Sequence, residues 1–230
     1  MKIRRLQYSV DTYHMLTFRH EYQKIVAPYF SFKDMRYAVD NDETLDEMFR
    51  LVFPNEGIVI YFRKEGVIFL YEGDSDMVAT HPIFDIFWQI CDKMKSISSF
   101  AGIAKHTLIL HAVDIKESED IAKFENNPRF KLYNPFGILD DFNIRYEFSK
   151  DADNDKVKFN FGRFYKEDIA RHELMPFRTE FNKDLETGIG LMCRLEISRK
   201  DKHPTVSKFK QLYSDSKKMI NDFNRIDNVE

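Results

Sequence analysis

Two histidines in one apolar run, Lys105–Ile115 (KHTLILHAVDI), come first among the residues that could do chemistry. A pair of imidazoles can share a metal ion or relay a proton. The run reads as a strand, and His106 and His111 stand an odd number of positions apart. Side chains alternate across a strand, so the two rings face opposite ways and cannot serve one substrate. They read as core or rim histidines. Asp151, Asp153 and Asp155 have the spacing of the first ligands of a calcium loop. Lys156 stands where that loop needs glycine, however, and Gly162 where it needs glutamate. A solvated turn is the better account. Asp140-Asp141 supplies two carboxylates, with no neighbour in sequence that would separate their protonation for acid–base work. Cys91 and Cys193 each lie within an apolar pattern, where a thiol stays protonated and inert. Gly188-Ile189-Gly190 lacks the third glycine of a dinucleotide loop and leads into a strand, which suits a bulge or bend. No catalytic residue, metal ligand or cofactor is assigned.

Binding residues are a second class. The hairpin formed by Ile58–Phe62 and Val67–Tyr71 carries aromatics on both faces. Tyr61, Phe69 and Tyr71, with Arg63 beside them, could stack and hold a flat, nucleotide-like ligand; core packing is the plain alternative. Lys208, Lys210, Lys217 and Lys218, preceded by Arg199, Lys200 and Lys202, are the basic concentration of the chain. Such a patch suits phosphate or an acidic partner. Asp201, Asp215 and Asp222 are interspersed, so an ordinary solvated helix face competes with that reading.

These residues must be positioned by the elements around them, and Thr80–Ile97 (THPIFDIFWQICDKMKSI) is the stretch the rest is organised around. Its apolar residues cover most of a helical wheel, leaving Asp85, Gln89, Asp92 and Ser96 as a polar stripe. A helix so apolar must be covered on most sides, and pleated layers are expected to sandwich it. Before it, Ile3–Val10 alternates as a strand, Thr12–Ala27 has helical spacing, and Phe32–Val39 reads as a strand. Thr44-Leu-Asp-Glu47 is a capping box, predicting a short helix through Val52. After it, Lys105–Ile115 reads as a central strand and Glu119–Phe124 as a short helix. Phe142–Phe148 and Val157–Phe161 form a second hairpin, Phe177–Phe181 a strand, Ile189–Ser198 a clean strand, and Thr205–Phe223 an amphipathic helix. Each half therefore carries strands, a hairpin and a long helix. The expected class is α+β: antiparallel sheets with long amphipathic helices packed on one face. Two similar lobes, 1–117 and 118–230, are the expected division, with one compact domain as the alternative.

Bulk composition narrows the function classes. The 230 residues carry 35 Lys and Arg against 38 Asp and Glu, a formal net charge of −3. General nucleic-acid binding normally needs a basic excess. Two scattered cysteines make neither a disulfide framework nor a zinc site. The opening MKIRRLQYSV lacks an apolar leader and no window has the length of a membrane span, so a cytoplasmic protein without membrane attachment is expected.

The early strand–helix pair, the apolar strand Thr107–Ile115 directly after a long helix, and the tail in which Leu191–Ser198 leads to Phe209-Lys-Gln-Leu-Tyr213 and Met219-Ile-Asn-Asp-Phe223 form a recurring plan. It resembles a sporadically distributed bacterial and archaeal family of uncharacterised two-lobed proteins found near mobile and defence loci. This chain departs from it by lacking a histidine near Tyr213 and an aspartate at Glu196 or Ser198. The resemblance implies a two-lobed α+β protein and carries over no functional residue. With no catalytic motif, it points to a non-enzymatic protein-binding or self-associating protein, in phage–host or toxin–antitoxin conflict. The alternatives are a small-ligand, nucleotide-like binder and a hydrolase or nuclease built on His106, His111 or Asp140-Asp141.

Overall fold

Among the described residues the chain forms nine strands, and these strands make one sheet. The computed structural model describes residues 1–15, 18–32, 34–41, 44, 47–125, 143–150, 155–177, 179–201 and 203–224. The strands are β1 (Lys2–Thr12), β2 (Arg36–Asp40), β3 (Met48–Phe53), β4 (Ile58–Arg63), β5 (Gly66–Tyr71), β6 (Ile103–Ile115), β7 (Asn143–Lys150), β8 (Asp155–Phe164) and β9 (Gly190–Arg199). Their spatial order is β2-β3-β4-β5-β1-β6-β9-β8-β7, and every pairing is antiparallel. Residues directly opposite share a face, so the register sorts the side chains. Leu6, Tyr8 and Val10 stand with Phe69, Phe62 and Phe49 on one side and with Leu108, Leu110, Leu195 and Phe159 on the other. That face is the floor of the main core.

The helix α2 (Pro82–Met94) lies on this floor. His81 caps it, its Nδ1 accepting from the Ile83 N–H, and Pro82 occupies the first turn without wasting a donor. Phe84, Phe87 and Trp88 meet Phe69 and Tyr8, with Trp88 5.7 Å and Phe87 6.1 Å from the Tyr8 ring. The other sides of α2 meet helices. From α1 (Phe18–Val26) Tyr22 donates to the Met94 sulfur, and from α5 (Val206–Asn224) Phe209 packs 4.7 Å from Phe84.

On the opposite face a smaller cluster forms at one end from Val113, Phe164, Leu174, Met175 and Leu185. It is roofed by α4 (Lys166–Arg171) and the turns that follow it. Glu72, buried at the end of β5, fastens that roof: its carboxylate accepts from the Phe177 and Thr179 N–H groups, the Thr179 hydroxyl and the Asn182 amide. Asn182 in turn donates to the carbonyls of Arg4 and Leu174.

The expected fold class is overturned. One continuous sheet takes the place of several antiparallel sheets in two similar lobes, because β6 pairs along its length with β9 and so joins strands from the two halves of the chain. The long helical cover expected over one face shrinks to α2, of 13 residues, with parts of α1 and α5 beside it; α3 (Ser118–Glu125) has 8 residues and α4 has 6. Among the described residues no second sheet sandwiches α2. The predicted helix from Thr44 is instead the strand β3, where Phe49, Leu51 and Phe53 alternate inward. In the stretch read as the strand Phe177–Phe181, the described residues form none: Phe177 and Thr179 bond to Glu72, and a 3-10 helix starts at Glu180. Among the described residues, no helix is long and apolar enough to cross a membrane.

Candidate functional site

The groups with catalytic chemistry are scattered. His106 is buried on the helix-covered face, its Nδ1 2.9 Å from the Tyr8 hydroxyl, and burial pulls its pKa down to about 4. His111 is buried on the other face beneath the His172 ring, 5.3 Å away. Burial, and then the nearby Arg5, His172 and Arg194, hold its pKa well below the usual imidazole value. The odd spacing thus separates the two rings by the thickness of the sheet. Cys91 and Cys193 are buried, and desolvation raises both thiols far above reactivity. Gly190 starts β9 where a Cβ would stand 2.1 Å from the Asp114 carbonyl oxygen, so its glycine serves a close backbone approach. Asp140-Asp141, Asp151 and Asp153 lie outside the described residues, as does the Asp155 side chain. Among the described residues no group of three or more His, Cys, Asp and Glu side chains is placed to hold a metal ion.

The hairpin residues divide between faces. Phe69 packs on Phe84 and Phe87 at 5.0 and 5.5 Å, and Tyr71 is buried beside His81. Tyr61 and Arg63 stand on the opposite face, where Tyr61 is hydrogen-bonded to Arg50, itself paired with Asp40 at 3.0 Å. The lysines divide too. Lys217 binds both oxygens of Asp76 at 2.6 Å, and Lys208 pairs with Asp201, so these two tie α5 down. Lys210 and Lys218 are exposed.

The face away from α2 carries a polar row that the sequence reading did not single out. Arg5, His111, Arg194 and Asn160 stand opposite one another on β1, β6, β9 and β8. Arg5 donates to Gln7 at 3.1 Å, to Glu173 at 3.2 Å and to the His172 carbonyl; Arg194 donates to Glu196 at 2.7 Å. The Arg5 bonds to His172 and Glu173 clamp the end of α4 onto the sheet, while the Arg194–Glu196 pair lies within β9.

The last strand of the sheet leaves an aromatic surface exposed. Strand β7 alternates Ile144, Tyr146 and Phe148 with Arg145 and Glu147. The first three oppose Phe161, Phe159 and Val157, while Arg145 and Glu147 oppose Asn160 and Lys158. Phe159 and Phe161 are buried, but Tyr146 is 41% and Phe148 49% exposed, the two rings stacked 6.2 Å apart at 16°. On the charged side Arg145 pairs with Glu147, which holds that exposed carboxyl below its ordinary pKa. Because β7 ends the sheet, its outward N–H and C=O groups have no neighbouring strand among the described residues. The other edge, β2, has only 5 residues, and its exposed Tyr37 is packed on Phe30 and bonded by Gln23. The alternation of β7 is plain in the sequence. Its place at the rim is not, since strand order is set by pairings far along the chain.

Compared with family models, with curated proteins and with solved structures, the chain finds no match.

Proposed function

We propose that this chain is a protein-binding protein, not an enzyme, and that it takes an extended polypeptide segment along β7. The observation that supports this is the pair of stacked, half-exposed rings, Tyr146 and Phe148, on a terminal strand of 8 residues free of proline and glycine. Edge strands of soluble proteins are usually short, kinked or charged on both faces. This one offers a ladder of backbone donors and acceptors for affinity and an aromatic stripe for selectivity, which are the two ingredients of strand addition. The scattering of His106, His111, Cys91 and Cys193 supports the non-catalytic half of the reading: the two imidazoles lie on opposite faces of the sheet, and both thiols are buried and held protonated. The test is a photoreactive phenylalanine analogue at position 146 in cells of the source organism, with exposed Tyr13 as the control position. A covalent adduct with a polypeptide at 146 and not at 13 is expected; irradiation that leaves position 146 free of polypeptide adducts refutes the reading.

A further inference from the structure

We infer that the segment taken up by β7 is β7 of a second copy of this chain, paired antiparallel about a two-fold axis through Tyr146. The inference rests on the strand-capture reading and adds the identity of the occupant. It follows from the order of charges on the strand. In an isologous antiparallel pair, backbone groups that point outward meet others that point outward only if the two-fold axis passes through a residue of the strand. With the axis at Tyr146, Arg145 of each copy faces Glu147 of the other, giving two opposite-charge pairs. Ile144 faces Phe148 twice, Tyr146 faces Tyr146, and Asn143 faces Ser149. All the apolar side chains fall on one face of the joint and both ion pairs on the other, continuing the division that β7 already has with β8.

Neighbouring registers fail for a definite reason. An axis through Arg145 sets guanidinium against guanidinium, and an axis through Glu147 sets carboxylate against carboxylate. Like charges directly opposite destabilise a strand pair. Registers further out shorten the ladder. Charge and ladder length together select one register out of several, and in that register β7 is complementary to itself. The joint also removes the exposed edge, since the sheet of each copy continues into the other.

The experiment is light scattering and sedimentation equilibrium on the purified chain from micromolar to millimolar concentration. A dimer is expected. Arg145→Glu and Glu147→Arg should each raise the dimer dissociation constant roughly tenfold or more, because each turns two attractions into repulsions. An equimolar mixture of the two single variants should associate again, since every position 145 then faces its opposite at 147, and the double exchange R145E/E147R should restore the homodimer. Both sites are exposed, so unchanged circular dichroism shows that the variants fold. A monomer at all concentrations, growth into open-ended oligomers, or a dimer indifferent to both single reversals overturns the inference. If the chain is monomeric and position 146 still cross-links to a different polypeptide, the occupant is wrong and strand capture stands. If position 146 captures nothing, both fall together.

Discussion

An imidazole held inside a sheet is a store of pH sensitivity whether or not it does any chemistry. His106 titrates near 4 in the folded chain against an ordinary 6.5, and His111 lies well below 6.5 as well, in both cases chiefly through burial. As pH falls through 6.5 the unfolded chain takes up protons that the folded chain refuses. Stability is therefore full above that value and declines below it, by up to about 1.4 kcal/mol per pH unit for each such histidine. The urea midpoint should drop between pH 7 and pH 5, and the pair His106→Gln and His111→Gln should flatten that slope; a midpoint equal at both pH values defeats the assignment. The carboxylate of Glu72 makes a different demand. Removing it in Glu72→Ala strands the N–H groups of Phe177 and Thr179 and the Thr179 hydroxyl in a partly buried place, while the Asn182 amide keeps the Arg4 and Leu174 carbonyls for its two protons. A loss of roughly 2–4 kcal/mol is expected in urea unfolding, with Glu72→Gln costing less because it keeps an acceptor. The odd spacing of 106 and 111 told in advance that the two rings diverge. Nothing in the sequence near Glu72 told of its latch, because every donor comes from more than a hundred residues away.

At the scale of elements, α2 was legible because eight apolar residues with a narrow polar stripe admit only burial. The strands β1 and β9 were legible from alternation, and β6 from an apolar run with Thr, Ile and Val. β3 was not, since a capping-box pattern at Thr44–Glu47 and a run of good helix formers outvoted the alternation of Phe49, Leu51 and Phe53. The sheet decides that contest. Phe49 stacks on Phe62 of β4 at 4.3 Å, a contact that only the strand can make. Burial of α2 has a measurable size. Phe87 is enclosed by Tyr8, Phe69, Phe84 and Trp88. Phe87→Ala should cost about 3–5 kcal/mol. Trp88 is the one tryptophan of the chain and lies beside the deleted ring, so its fluorescence reports the event directly. The folded variant should show red-shifted emission and stronger acrylamide quenching; emission identical to the parent would mean that the layer closes over the gap.

For the molecule as a whole, the question is whether two halves that resemble separate units in sequence can stand apart. The division at 117/118 falls between β6 and the strands that pair with it from the other side, and the cost of cutting there can be followed through the contacts. A fragment 1–117 keeps β1 to β6 and α2 but loses β9, leaving the backbone groups of β6 from His106 to Ile115 without their ladder. It also loses Phe209, whose ring fills the space 5.0 Å from Tyr8 and 4.7 Å from Phe84. The polar latch fails as well, because Glu72 and Arg4 have their partners at Phe177–Asp184. A new apolar edge as long as β6, in the middle of what was a sheet, invites association far more strongly than the charged rim of β7 does. The fragment 1–117 should therefore lack a cooperative melt and aggregate on its own, while mixing it during refolding with 118–230 should recover the Trp88 emission of the intact chain. A sharp, reversible transition in the isolated 1–117 fragment would show instead that the β6–β9 seam is a contact between two self-sufficient sheets, and that the core on either side of it closes without the other.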